Sequence, residues 1–556
     1  MATSLCALLP LAPAFAPANA TSILVAPPSA YDYPATLYDV PAGSGREYFV
    51  SSLGDDANDG SFDHPWKTLD KISSTTFLAG DTIRLNRGDI FTGTLILNGR
   101  GTAINPITLT HYGTGDRPII LSPDDKSFCL TIPDTAEGFR IIGIEFANGA
   151  EGIRITAGKT IPNAYYYIAD CYVRDIRRND NAMLPAPGIG INIMGSVLPY
   201  TTANPLTLSD TARDVTVKNC IFTGNDADFS SFGGAYTTNI LIDGCTFTRT
   251  KYNSVYHCSA TNFDITNCVW FDCCVGYFKF GLTCIISGAL TGTAGTNAVF
   301  NNEFGFTRDS GGNDGCAFDF EWDTDGIIFS NNFAHNGFGE AILMMKEATC
   351  KDIEIANNIF YKNVVGSALH GAELALYGKG SGTVHDNIFE SVSGVERIHY
   401  VRRRGIKTLF SQLAGNTSGL KIKNNSDRNL SSLLSPTPTG TFDPTANTVS
   451  FTAPAGAILR YTTDGSIPTE NSPIYTGPVT VAKTTVVHCK NFSSALPSIT
   501  ASVFAAKDGR VAPLDPLPPI PTRSPAFPWF AFVFIGLVAV AFTTCAFINK
   551  KRRSVK

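Results

Sequence analysis

One short phrase recurs through most of this chain and limits its fold more than any other feature. Val217-Lys-Asn-Cys-Ile-Phe222, Ile242-Asp-Gly-Cys-Thr-Phe247, Ile265-Thr-Asn-Cys-Val-Trp270, Val299-Phe-Asn-Asn-Glu-Phe304, Ile355-Ala-Asn-Asn-Ile-Phe360 and Val384-His-Asp-Asn-Ile-Phe389 are variants of it, and Ile141-Ile-Gly-Ile-Glu-Phe146 is an earlier form. Phe222, Phe247 and Trp270 lie about 25 residues apart, and the wider gaps read as multiples of that period or as periods carrying loops. A unit this short cannot bury its own apolar face, so the units must stack, Ile on Ile, Phe on Phe, and Asn or Cys on its like at the turn. The predicted stack is a parallel β-helix. Leucine-rich repeats would need a Leu-x-x-Leu-x-Leu phrase and helical repeats an amphipathic period near 3.6. Composition agrees with an all-β chain: 50 glycines, with frequent Asn, Thr, Phe and Ile, suit short strands between tight turns.

A second phrase marks where the solenoid begins. Tyr48-Phe-Val-Ser-Ser-Leu-Gly-Asp-Asp-Ala-Asn-Asp-Gly-Ser61, Pro65-Trp-Lys-Thr-Leu69 and Ala79-Gly-Asp-Thr-Ile-Arg-Leu85 follow in order. They resemble the entry segment of the pectate-lyase-like right-handed β-helix superfamily, where it caps the first coil. The resemblance spans residues 46–430. A Pro- and Thr-rich change of composition follows Leu434, and then Leu459-Arg-Tyr-Thr-Thr-Asp-Gly-Ser-Ile-Pro-Thr469 and Ile474-Tyr-Thr-Gly-Pro-Val479. These resemble the small immunoglobulin-like domain at the C-terminus of chitobiases, which implies a β-sandwich over residues 436–506 acting as a spacer or accessory module.

The two ends bear on location. Residues 1–20 are apolar and end in Ala18-Asn19-Ala20, the small-x-small form of a signal-peptidase site. Seven prolines between Val511 and Pro528 make a semi-rigid stalk over 511–526. Residues 527–548 carry no charge and suffice, at ~1.5 Å per residue, to cross a ~30 Å hydrocarbon core as one transmembrane helix. The tail 549–556, with Lys550, Lys551, Arg552 and Arg553, would stay cytoplasmic. The expectation is a single-pass cell-surface protein with an extracytoplasmic body, the alternative being that the tail is a sorting signal cut off after export. Of fourteen cysteines, Cys6 and Cys545 fall in the hydrophobic ends. An exported chain can pair the others, but their spacing dictates no pairing. Cys171, Cys220, Cys245 and Cys268, one per coil, are expected as a buried stack and not as metal ligands.

The balance of 43 basic against 48 acidic residues provides no broad electropositive field, so nucleic acid is not an expected partner. The densest chemistry is Ala317-Phe-Asp-Phe-Glu-Trp-Asp323. Alternation in a strand sends Phe318, Phe320 and Trp322 inward and Asp319, Glu321 and Asp323 outward, roughly 6 to 7 Å apart. Such crowding suits a raised pKa, a bound cation such as calcium, or hydrogen bonds to a sugar; a solvated acidic strand is the plain alternative. Glu340 and Lys346, one coil on, are expected beside this comb. Two carboxyls ~5 Å apart would serve a retaining glycosidase and a wider pair an inverting one. Lys346 would be the base of a lyase. His257, Tyr277, Lys279, Glu373 and Tyr377 on neighbouring strands are candidate sugar contacts, since pyranose faces pack on aromatic rings. His257 also fits a turn residue.

The Asn-Thr-Asp, Gly-His-Gly and Arg-Ile-Lys set of polygalacturonases is missing, and Val269-Trp-Phe-Asp-Cys273 has Cys where pectate lyases have His. Pectin cleavage is not supported by motif. The expected activity is glycan handling, with Asp319, Glu321 and Glu340 as hydrolytic carboxyls. A lyase using Lys346, or a non-catalytic glycan-binding adhesin, is the alternative, because this architecture hosts all three.

Overall fold

Each copy of the repeated phrase makes one corner of a coil. The Asn before the inward residue, at Asn219, Asn267, Asn301, Asn331 and Asn357, has φ between 52° and 57°. Asn tolerates this left-handed conformation better than other side-chain-bearing residues, and it swings the chain from one sheet into the next. The computed structural model describes residues 45–506, apart from 159–160, 162, 177–187, 195–211, 225–228, 236, 251–252, 259–260, 276–282, 289–296, 309–314, 321–323, 346–348, 367–370 and 401–418. The expected leader, stalk, membrane span and basic tail lie outside the described residues. Among the described residues no helix is long and apolar enough to cross a membrane.

Among the described residues, repetition of the corner winds the chain into three parallel sheets of 14, 12 and 11 strands. One coil runs from Phe139–Ile142 in the first sheet, through Glu145–Ala147 in the second, to Glu151–Thr156 in the third, and returns to the first at Ala164–Ala169. The architecture is the right-handed parallel β-helix.

Its interior is a set of ladders. At the corner Cys220 N donates to Cys245 Sγ at 3.4 Å and Cys245 N to Cys268 Sγ at 3.3 Å. Cys268 N donates to Asn302 Oδ1 at 2.9 Å, and Asn302, Asn332 and Asn358 donate in turn to the Oδ1 of Asn332, Asn358 and Asn387 at 2.8–3.0 Å. The column thus changes from thiol to amide without a break, and each buried N–H keeps an acceptor. Two residues further on, Phe222, Phe247, Trp270 and Phe304 stack at centroid spacings of 4.9, 4.7 and 4.6 Å. Ala334 then interrupts this ladder, and Phe360 and Phe389 resume it at 5.1 Å. The expected inward aromatic register is what the structure has. The cysteines whose side chains are described, Cys171, Cys220, Cys245 and Cys268 among them, form no disulfide and are buried.

The entry segment closes the first coil. Tyr48 stacks on Trp66, whose Nε1 donates to Asn58 O at 3.0 Å. Asp56 accepts from Lys67 N and Thr68 N, and Thr68 in turn caps the helix Leu69–Ser73, which lays Leu69 and Ile72 over the core. At the other end, Thr439–Asp443, Thr448–Thr452 and Val479–Thr480 form one antiparallel sheet, and Leu459–Thr462, Thr485–Asn491 and Ala501–Ala505 another. They enclose Val449, Phe451, Val487, Cys489 and Val503.

This sandwich lies along the solenoid's second sheet and does not extend as a free spacer. Val486 packs with Tyr172 and Ile221, and His488 Nε2 lies 2.8 Å from Thr246 Oγ1. Lys490 Nζ donates to Glu303 Oε2 at 2.7 Å. Thr500 adds two bonds to Glu303 at 2.7 Å, and His335 Nε2 lies 3.2 Å from its Oε1. Burial alone would raise the Glu303 pKa, but Lys490 and His335 hold it well below the usual carboxylate range.

Candidate functional site

The third sheet carries the carboxylates. Its strands Thr283–Gly288, Cys316–Phe320, Ile342–Met344, Ala372–Leu376 and Glu396–Tyr400 pair in that order. Phe318, Ile342 and Leu374 share one register column and are buried in the core. Asp319, Leu343 and Ala375 form the next column and, by alternation, face out. The outward direction of Asp319 is as the strand pattern predicts; its solvation is not, for Asp319 is 2% exposed. Glu321 and Asp323, the remainder of the acidic comb, lie outside the described residues, as do Lys346, Tyr277 and Lys279.

Glu340 is on the next coil, as expected, but not beside Asp319. Asp319 pairs with Leu343, three residues beyond Glu340. With ~3.3 Å per residue along the strand and ~4.8 Å between strands, the two Cα atoms are about 11 Å apart. Glu340 instead meets Cys316, whose Sγ lies 3.6 Å from Oε2. Cys316, Leu343, Ala375 and Tyr377 form a separate apolar cluster on this face, with Met345 against it. Asp319 and Glu340, which is 1% exposed, thus flank one patch containing an aromatic ring. The Tyr377 phenol is pushed well above its ordinary pKa, first by burial and then by the charges of Glu340 and Glu396. Glu396, in register with Ala372, extends the carboxylate row to the exposed surface.

Glu373 is misplaced by the sequence reading. The expected sugar contact is fully buried, accepting from Asn363 Nδ2 at 2.8 Å and Asn363 N at 3.2 Å. Alternation fails at this corner. Ala317 and Phe318 are both core residues, as are Ala341 and Ile342, so Glu373 and Leu374 also both enter. Burial raises the Glu373 pKa to about 8 against the two Asn363 bonds, with a further push from Glu340. His257 pairs with Ser287, which pairs with Phe320, so its register column is the one beside that of Asp319.

Cys316 and Glu396 were not identified from sequence. Neither belongs to the repeated phrase, but the register of the third sheet brings both to the column of Glu340. No group of three or more His, Cys, Asp or Glu residues able to hold a metal ion occurs among the described residues.

Residues 437–502 match the family model of the chitobiase/β-hexosaminidase C-terminal domain. No curated protein matches the chain by sequence. Among solved structures, the chain is similar to the GH136 lacto-N-biosidase from Eubacterium ramulus, with a TM-score of 0.52 and 18% identity over 69% of this chain and 68% of that one. A rhamnogalacturonan lyase aligns with a TM-score of 0.45 and 17% identity over 69% of this chain and 88% of its own. The PL6 family lyase from Pseudopedobacter saltans gives 0.41 and 14% over 65% and 92%. The likeness to the lacto-N-biosidase establishes the fold; the chemistry has to be argued from the residues.

Proposed function

We propose that this chain is a carbohydrate-active β-helix protein that binds a glycan along the outer face of the third sheet and hydrolyses a glycosidic bond there, with Asp319 and Glu340 as the working carboxyls. One observation carries the reading: two carboxyls, almost without solvent exposure, stand beside a buried apolar cluster on the outer side of the sheet, at whose surface lie the Tyr377 ring and the half-buried Met345. A sugar's C–H face would pack on Tyr377 and Met345 while its hydroxyls bond to the acids beside them. The three-residue offset of Glu340 from Asp319 favours the wider of the two carboxyl spacings, the one that admits a water in an inverting hydrolase. Glu321 and Asp323 belong to the same acidic segment and enter the proposal as further substrate contacts. Cell-surface attachment through residues 527–548 remains part of this reading.

Reducing-end release from a panel of neutral and acidic polysaccharides tests it, with absorbance near the ultraviolet followed for the unsaturated product of a lyase. Asp319→Asn and Glu340→Gln are each expected to abolish turnover while leaving the melting temperature unchanged or higher, since functional carboxyls held out of water cost stability. Unsaturated product would replace hydrolysis by elimination, and glycan binding without turnover would make the solenoid an adhesin. Full activity in both variants would remove the two residues from the chemistry.

A further inference from the structure

A cavity lies where the sandwich meets the corner between the first and second sheets. Its volume is about 520 Å³, within the range of small-molecule sites. Arg87 and the loop Gly113, Thr114 and Gly115 line one wall, and Thr463, Thr480, Lys483 and Thr485 line the other. Both domains therefore contribute to it.

The charges around this cavity do not balance. Lys483 and Arg117 both bond to Asp170, the latter at 2.8 Å, so two cations share one carboxylate. Arg87 is a third cation, and among the described residues no carboxylate lies within ion-pairing distance of it. Its guanidinium bonds to Gly115 O at 2.8 Å and to the His111 ring at 3.0 and 2.8 Å. Burial, and then the Arg87 charge, lowers the His111 pKa to about 4, so that ring is neutral and accepts. Asp170 and Asp116 are the carboxylates that act most on Arg87, so among the described residues the three cations Arg87, Arg117 and Lys483 face these two anions. A neutral imidazole accepts at one nitrogen only, so of the five guanidinium N–H groups these contacts satisfy two, one on His111 and one on Gly115 O, and three remain. Gly113 (φ 78°) and Gly115 (φ 110°) take the left-handed conformation on either side of Thr114, so two of the three loop residues bring no side chain to the cavity. The three threonines opposite can supply hydroxyls.

We propose that this interdomain cavity is a second glycan-binding site, specific for a sugar acid whose carboxylate is held by Arg87 and Lys483. The carboxylate follows from the uncompensated charge. The sugar part rests on the proposed function, whereas the cavity itself does not depend on the carboxyls of the third sheet.

Calorimetric titration of the full chain with D-glucuronate, D-glucose and acetate is the test. Glucuronate is expected to bind at millimolar concentration, at least ten-fold tighter than acetate, and glucose not at all. Arg87→Met should weaken glucuronate at least ten-fold. Because Arg87 also holds His111, Thr114→Glu is the companion variant: it brings a negative charge to the exposed cavity rim without touching that contact, and a similar loss is expected. Glu340→Gln should leave glucuronate affinity unchanged, which separates this site from the third sheet. Equal affinity for acetate and glucuronate, undiminished binding in both cavity variants, or no binding in the unaltered chain would each overturn the proposal.

Discussion

Glu373 should make the stability of this solenoid fall between acid and neutral pH, and removing its charge should remove that fall. Its carboxyl sits inside the coil with a pKa raised to about 8, against an ordinary value of 4.5. The folded chain therefore holds a proton that the unfolded chain releases between those values. The stabilisation is fully present below pH 4.5 and is lost as pH rises through the folded pKa near 8. Each pH unit costs about 1.4 kcal/mol, so the whole window removes on the order of 5 kcal/mol. Glu373→Gln keeps the shape and has no proton to lose, but its amide meets one of the two Asn363 donors with a donor of its own. The variant should be less stable than the unaltered chain at pH 5, by about 1–2 kcal/mol for one lost bond. At pH 8 it should be the more stable of the two. Urea unfolding at pH 5, 6, 7 and 8, read as the difference between the two proteins, isolates this group from every other titration. Parallel curves, with no crossing, would show that Glu373 is not held protonated inside the fold.

Asn332→Ala empties one rung of the amide ladder, leaving Asn302 N without its acceptor and Val299 O without its donor; a loss of several kcal/mol in chemical unfolding is expected. Asn332→Cys should recover part of it, because Cys fills the same rung at Cys220, Cys245 and Cys268. Phe247→Asp places a charge between Phe222 and Trp270 and should abolish soluble expression, and normal expression with unchanged melting would refute the register. Lys490→Met strands the buried Glu303 and should cost about 3–5 kcal/mol above pH 5. That deficit should shrink as pH falls below the ordinary carboxylate range, because a lowered pKa stabilises only while the unfolded group is ionised.

The sequence by itself determined the solenoid. Stacking in register requires like residues at like places, so the Asn-Asn-Ile-Phe phrase states both the period and the inward face, and the ladders of Cys220 to Asn387 and Phe222 to Phe304 follow from it. Asp319 was legible too, because it lies where strand alternation holds. What only the tertiary structure decided lies where alternation or locality ends. Glu373 turns inward because two successive residues enter the core at that corner, an irregularity that period-2 reasoning cannot foresee. The offset of Glu340 from Asp319 depends on loop lengths between coils, which composition does not specify. The docking of the sandwich joins Asp170 to Lys483 and Glu303 to Lys490, separations of 313 and 187 residues. Each of those charges looks like an ordinary surface residue until both domains are folded and their side chains meet across the interface.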